Sequence, residues 1–169
     1  MITGKNYIGT KMSAGGSKIF KTFNPVSNIE NEYEFYEAST EEIDLAVASA
    51  WKAFGSYQDY SGERKSEFLN AIADEIEALG DTLINTYCSE SGLPQGRAMG
   101  ERGRTMFQLR TFADLVKKGD WVDAYIDTAQ PDRAPVPKPD IRKMMIPLGP
   151  VVVFGASNFP LAFSTAGGD

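Results

Sequence analysis

One short apolar run near the carboxyl end of this 169-residue chain restricts most what the chain can fold into. Val151 to Phe154 reads VVVF, the uninterrupted β-branched pattern of a strand that is covered on both faces, as in a parallel sheet. A parallel strand pairs with neighbours that arrive through crossover connections, and no such strands precede this one. The sequence therefore predicts an α/β fold in which this run is the first strand of a sheet whose other strands are missing from the chain.

The residues before that run predict a β-ribbon followed by helices. Partial alternation in Lys18–Phe23 and Tyr33–Ala38 predicts two antiparallel strands. Ser39 and Glu42 have the spacing of a capping box, which marks the start of a helix. Apolar residues at helical spacing then recur as far as Lys118, which predicts a cluster of helices.

Two further strand patterns separate the helices from the apolar run. Trp121–Asp127 alternates in polarity, a proline-rich connector follows, and Ile141–Ile146 is the second candidate strand. We therefore expect three parts: the ribbon and helices (1–120), an arm of two strands (121–146) and the truncated start of a sheet (147–169).

Composition excludes several classes of function. A net charge of −6 and the absence of a basic stripe argue against nucleic acid as a partner. The chain has no histidine, which removes Ser-His-Asp and Cys-His catalysis and histidine metal ligands, and we expect no metal site. No apolar run approaches the roughly 18 residues of a membrane span. Because a single cysteine permits no internal disulfide, a cytoplasmic location without a membrane partner is expected.

Asn158 is the strongest candidate for a catalytic group. It follows the predicted strand in a loop that begins with the small residues Gly155, Ala156 and Ser157. Open α/β sheets bind ligands at the carboxyl ends of their strands, where a side-chain amide could donate a hydrogen bond to a developing oxyanion. The alternative is that Asn158 satisfies the loop backbone or adopts a turn conformation.

Three other features have weaker interpretations. Gly167-Gly168 could open a helix against a phosphate. Cys88 is more plausible as a packed residue than as a nucleophile, because no histidine is present to activate it. The segment Gly100–Arg104 (GERGR) could hold an anion, although a surface charge pair is the simpler interpretation.

An ordered series of short motifs extends over nearly the whole chain. The motifs are Asn24-Pro25, Ala53-Phe54, Glu63-Arg64, Ile72–Ile76, Glu90–Pro94 and Pro147–Pro160. Together they resemble the N-terminal part of an aldehyde dehydrogenase. That family usually has Pro-Trp-Asn-Phe-Pro at the loop, whereas Ala156-Ser157 stand here before Asn-Phe-Pro. The departure is similar to the subgroup that oxidises 2-oxoglutarate semialdehyde (2,5-dioxopentanoate), and to some NADP-preferring fatty-aldehyde enzymes.

The resemblance implies an N-terminal portion of the aldehyde dehydrogenase fold, with the first strand of a Rossmann-like sheet, and an oxidoreductase activity. In the family, a cysteine thiolate attacks the aldehyde, hydride passes to NAD or NADP, and a glutamate activates water to release the acid. Asn158 matches the asparagine that stabilises the oxyanion. The other matched positions are Phe154, Gly155, Ala156 and Ser157 at the cofactor, and Phe159 and Phe163 along the aldehyde passage.

The resemblance also implies what this segment lacks. The family's nucleophilic cysteine, its glutamate base and its main cofactor-binding groups lie beyond Asp169, so the segment alone is expected to be inactive. Family members pair subunits through an arm of strands, which implies a homodimer or homotetramer. Two alternatives stay open: a non-catalytic truncated relative that acts as an oligomerisation module, and an unrelated helical binding domain with a chance motif.

Overall fold

The computed structural model describes residues 2–165, and its first elements are two antiparallel hairpins. A small hairpin pairs β1 (Asn6–Ile8) with β2 (Lys11–Ser13). The predicted ribbon is confirmed as β3 (Ile19–Asn24) paired with β4 (Ile29–Tyr36). The Gly167-Gly168 pair lies outside the described residues.

Four helices follow the ribbon, as the periodicity predicted. They are α1 (Thr40–Tyr57), α2 (Gly62–Ala78), α3 (Gly80–Ser91) and α4 (Gln95–Lys118). A last short helix, α5 (Ala162–Thr165), packs against α4. Across residues 2–165, the helices are too short or too polar to span a membrane.

The predicted capping box begins α1 and also anchors the first hairpin. The Ser39 amide donates to Glu42 Oε2 over 2.8 Å, and the Glu42 amide donates to Ser39 Oγ over 3.2 Å. Glu42 Oε1 accepts from the Gly15 amide over 2.8 Å and from the Ser13 hydroxyl. These hydrogen bonds hold the pKa of Glu42 below its ordinary value, and the hydrogen bond from Ser13 contributes most. The ionised Glu42 carboxylate therefore stabilises the fold at neutral pH. This stabilisation is lost as the pH falls through the lowered pKa of Glu42.

The helices α2 and α4 form the most extensive helix pair of the fold. Ala73 and Ala113 are completely buried, and such small side chains let the two helices approach closely. Where α2 begins, a Cβ added to Gly62 would lie 2.3 Å from the carbonyl oxygen of Val116 in α4. The backbones are thus too close at this point for any side chain at position 62.

A smaller core joins α3 to α4. Its buried members are Ile84, Tyr87 and Ala98, and Cys88 and Leu161 pack against them. Cys88 is half-buried, as expected of a packed residue. This cluster places the last helix and the loop before it directly against α4.

The strands of the arm are shorter than their sequence patterns. A 3-10 turn occupies Asp120–Val122, so the first strand, β5, extends only over Tyr125–Asp127. It pairs antiparallel with β6 (Ile141–Lys143), where the pattern had indicated a strand to Ile146. The alternating polarity around Trp121 thus belongs to a tight turn and not to extended backbone.

The run Val151–Phe154 does not form the buried strand that its sequence predicts. It has no regular secondary structure, and 87% of Phe154 is exposed. The physical reason is that a strand is stabilised by hydrogen bonds to neighbouring strands, and in residues 2–165 no strand lies beside this run. The expectation that the sheet's other strands are missing is consistent with this exposure.

Substituting Gly62 with alanine should destabilise the α2–α4 pair. The new methyl group would overlap the Val116 carbonyl, so the free energy of unfolding should fall by about 1–3 kcal/mol. Gly55→Ala in α1 is the matched control, because a Cβ there meets no atom within 4 Å and alanine is the better helix former. Urea denaturation of both variants checks this, and equal effects would contradict the close contact.

Candidate functional site

The loop around Asn158 is a tight turn whose shape does not depend on the Asn158 side chain. The Phe159 amide donates to the Ala156 carbonyl oxygen over 3.1 Å, which closes a four-residue turn with Ser157 and Asn158 at its centre. Asn28 and Asp123 are the non-glycine residues with positive φ in residues 2–165, so Asn158 is not in the left-handed region. Asn158 therefore occupies a turn, as one structural interpretation expected, but not in a left-handed conformation, and the residue is exposed to solvent.

Glu101 of α4 holds the carboxyl-terminal end of this loop. Its Oε1 accepts from the Leu161 amide over 2.8 Å and from the Ala162 amide over 3.1 Å. Those amides lie at the start of α5 and have no partner within the helix, so a carboxylate is a favourable acceptor for them. Only 3% of Glu101 is exposed, which makes it a buried anion that fixes the loop to α4.

Tyr87 of α3 completes the surroundings of that carboxylate. Its hydroxyl donates to Glu101 Oε2 over 2.6 Å, and the residue is 5% exposed. Burial, together with the hydrogen bond and the negative charge of Glu101, raises the pKa of Tyr87 to about 12. The phenol is therefore a proton donor throughout the physiological range, and it links α3 to the loop through Glu101.

Arginine side chains of α4 hold the other side of the loop. The Arg97 guanidinium carbon lies 4.1 Å from the centre of the Phe159 ring, and that of Arg104 lies 5.8 Å from it. Arg97 Nη2 also donates to the main-chain oxygen of Asn158 over 3.3 Å. The Phe159 ring stacks on Phe163, with centroids 4.9 Å apart. The two aromatic residues assigned to the aldehyde passage thus lie together.

The remaining candidate residues lie on both sides of the turn. Phe154 and Gly155 are exposed and Ala156 is half-buried. Ser157 lines a cavity of about 330 Å³ between the loop and α3, with Tyr87 and Leu161 among its other walls. Within residues 2–165 there is no group of three acidic, cysteine or histidine side chains that could hold a metal ion.

Sequence reasoning missed the role of Glu101. It placed the residue in a surface charge pair, whereas the structure buries it with Arg97 Nε 3.8 Å away. A usable signal was present, because Ala98, Thr105, Leu109 and Glu101 share one helical face of α4, and three of them are small or apolar. A carboxylate on a buried face requires hydrogen-bond partners, which locates it beside a helix start or a hydroxyl.

Solved structures with the same fold are aldehyde dehydrogenases. A point mutant of betaine aldehyde dehydrogenase from Staphylococcus aureus, solved in complex with NAD+, superposes with a TM-score of 0.69 at 19% identity. The superposition covers 78% of this chain and 27% of that one. The profile of the aldehyde dehydrogenase family matches residues 12–167. The chain belongs to the aldehyde dehydrogenase family. This membership excludes the alternative that it is an unrelated helical binding domain with a chance motif.

Within that family, two relatives share almost half of their matched residues with this chain. The chain is 45% identical over 166 residues to the alpha-ketoglutaric semialdehyde dehydrogenase of Acinetobacter baylyi. It is 47% identical over 169 residues to alpha-ketoglutaric semialdehyde dehydrogenase 2 of Azospirillum brasilense. These matches cover 98% and 99% of this chain but 32% of each relative. The chain thus spans about a third of the length of the relatives it matches.

Removing the Glu101 carboxylate should loosen the loop and change the titration of Tyr87. In Glu101→Ala the Leu161 and Ala162 amides lose their acceptor, so the free energy of unfolding should fall by about 1–3 kcal/mol. The pKa of Tyr87 should move down from about 12, because a neighbouring negative charge is gone. Urea denaturation and ultraviolet titration of phenolate measure the two effects.

Tyr87→Phe identifies the Tyr87 signal in that titration. Glu77→Ala is the control for stability, since Glu77 is exposed and makes a 3.8 Å surface ion pair with Arg110, worth at most about 1 kcal/mol. A Tyr87 pKa that did not change in Glu101→Ala would contradict the contact.

Proposed function

We propose that this chain supplies one wall of the active site of an NAD- or NADP-dependent aldehyde dehydrogenase that oxidises 2-oxoglutarate semialdehyde to the dicarboxylic acid. The observation that carries the proposal is the exposed amide of Asn158, held at the centre of a turn that does not use it. The names of the two relatives, at 45% and 47% identity, support the choice of substrate.

The geometry suits the stabilisation of an oxyanion. When a nucleophile adds to an aldehyde, the carbonyl oxygen becomes negative, and a fixed donor stabilises that charge more than the neutral ground state. Arg97 and Glu101 fix the loop from its two sides, so the main chain that carries Asn158 is held in place before the substrate arrives. Such preorganisation reduces the rearrangement that the reaction requires.

The cofactor would lie at the start of the same loop. Gly155, Ala156 and Ser157 have small side chains and follow the exposed Phe154, which suits close approach of a planar ring. NAD(P)+, when bound, accepts the hydride of the aldehyde. The stacked Phe159 and Phe163 rings would form an apolar wall that limits water beside the reacting carbon.

We further propose a cytoplasmic homodimer or homotetramer joined through the β5–β6 arm. Ile126 and Ile141 are 62% and 49% exposed, and a two-stranded sheet leaves edges available for pairing with another subunit. The single cysteine suits a reducing compartment. The same exposed arm supports the second candidate, a non-catalytic relative that serves as an oligomerisation module.

Replacing Asn158 with alanine should lower kcat by about 100- to 1,000-fold in a protein of the relatives' length that contains this chain. The amide would no longer stabilise the oxyanion, while the turn should persist because its hydrogen bonds are main-chain or involve Glu101 and Arg97. Steady-state kinetics with 2-oxoglutarate semialdehyde measures the loss. Asn85→Ala, an exposed asparagine on α3, is the control. An unchanged kcat in Asn158→Ala would assign Asn158 a purely structural role.

Residues 1–169 expressed alone should not reduce NAD+ or NADP+ with any aldehyde. Their one thiol, Cys88, is half-buried against the core, and there is no histidine to activate it. Nicotinamide absorbance with a panel of aldehydes checks this, with the Acinetobacter relative as positive control. Turnover would place the nucleophile and the base within these residues. If a protein of the relatives' length that contains this chain also lacked turnover, the oligomerisation module would be favoured.

A further inference from the structure

The peptide unit that joins Asn158 to Phe159 is hydrogen-bonded at both of its polar ends. Its N–H, which belongs to Phe159, donates to the Ala156 carbonyl oxygen over 3.1 Å. Its oxygen, which belongs to Asn158, accepts from Arg97 Nη2 over 3.3 Å. Because a peptide unit is planar, contacts at its two ends fix the orientation of the whole plane. That plane begins at the Cα atom of Asn158, so its orientation restricts where the Asn158 side chain can lie.

The two contacts differ in what they hold. The bond from Phe159 to Ala156 lies within the turn, so it keeps the shape of the turn even if the turn moves as a unit. The bond from Arg97 comes from α4, 61 residues away in the chain. Arg97 therefore fixes the place of the Asn158 peptide unit relative to the helical cluster.

The Arg97 side chain is itself oriented by two neighbours. Its guanidinium carbon lies 4.1 Å from the centre of the Phe159 ring. Its Nε lies 3.8 Å from Oε2 of Glu101, whose side chain is 1% exposed. A guanidinium is a planar group with five N–H donors, so a ring and a carboxylate can orient it while another N–H donates to a carbonyl oxygen. Arg97 thus reaches Asn158 in a defined geometry.

We propose that Arg97 is a positioning residue, which acts on the reaction through Asn158 by holding the peptide unit next to it. The inference rests on the proposed function, because it takes the Asn158 amide as the donor to the oxyanion. Such a donor must lie within hydrogen-bond distance of the oxygen on which charge develops, and a displacement of about 1 Å can cost about 100-fold in rate. Arg97 would thus contribute to kcat while it donates to the main chain.

Arg97→Met tests this role, because methionine removes the donor and keeps a long side chain beside the Phe159 ring. In a protein of the relatives' length that contains this chain, kcat with 2-oxoglutarate semialdehyde should fall by about 10- to 100-fold, whereas KM should change by less than about threefold. Arg97→Lys keeps the charge and a donor but not the planar group, so it should recover part of the loss. An unchanged kcat, or a loss confined to KM, would overturn the proposal.

A double substitution shows whether Arg97 acts through Asn158. In the Asn158→Ala background, Arg97→Met should lower kcat by less than about a further twofold, because the side chain that Arg97 positions is already gone. A general loss of structure would instead multiply the two effects. Multiplied effects would therefore contradict the positioning role.

Arg110→Met is the matched control on the same helix. Arg110 pairs with Asp74 of α2 over 2.9 Å, and its side chain is 43% exposed, close to the 40% of Arg97. Its replacement should leave kcat unchanged, which separates the loss of a specific contact from the loss of one positive charge on α4. If kcat fell as far in Arg110→Met as in Arg97→Met, the proposal would be wrong.

Hydrogen exchange of residues 156–162, measured by mass spectrometry, tests the contact without catalysis. In Arg97→Met this segment should exchange about 5- to 10-fold faster than in Arg110→Met, because the peptide unit of the Phe159 amide is then held at one end only. If no aldehyde is oxidised and this pattern is found, the proposed function is wrong and Arg97 still positions the loop. If Asn158→Ala lowers kcat while Arg97→Met changes neither kcat nor exchange, the function stands and the role of Arg97 is wrong.

Discussion

The arrangement of the candidate site depends on one buried carboxylate. Glu101 lies on the inner face of α4, and its two oxygens join three elements: α3 through Tyr87, and the Asn158 loop and α5 through the Leu161 and Ala162 amides. A buried anion is costly unless its hydrogen-bond capacity is satisfied, and here each oxygen has a donor. The contact therefore holds the loop in one position relative to the helical cluster.

The same helix also determines the chemical surroundings of the loop. Arg97 and Arg104 lie about one turn before and one turn after Glu101 on α4, and both contact the Phe159 ring. One helix thus supplies both the rigid attachment of the loop and the positive charge beside it. A helix is a more rigid support for such contacts than another loop would be.

Local signals predicted much of the fold. The Ser39–Glu42 spacing located the start of α1, because a capping box is formed by residues within one turn of each other. Helical periodicity predicted α4 from Gln95 to Lys118, and alternation predicted the β3–β4 ribbon. Tertiary features were predicted less well. The apolar run Val151–Phe154 read as a strand, but a strand also requires partners, and sequence pattern alone does not supply them.

By itself, the sequence determined the helices, the ribbon and the position of Asn158 in a loop of small residues, since each depends on neighbours within a few positions. The tertiary structure decided what surrounds that asparagine. Glu101 is 60 residues from Leu161, and Arg97 is 61 residues from Asn158, so these contacts exist only once α4 packs against the loop. Burial, which made Glu101 an anchor rather than a surface charge, is a property of that packing, and the helical face that Glu101 shares with Ala98 and Leu109 indicates it only in part.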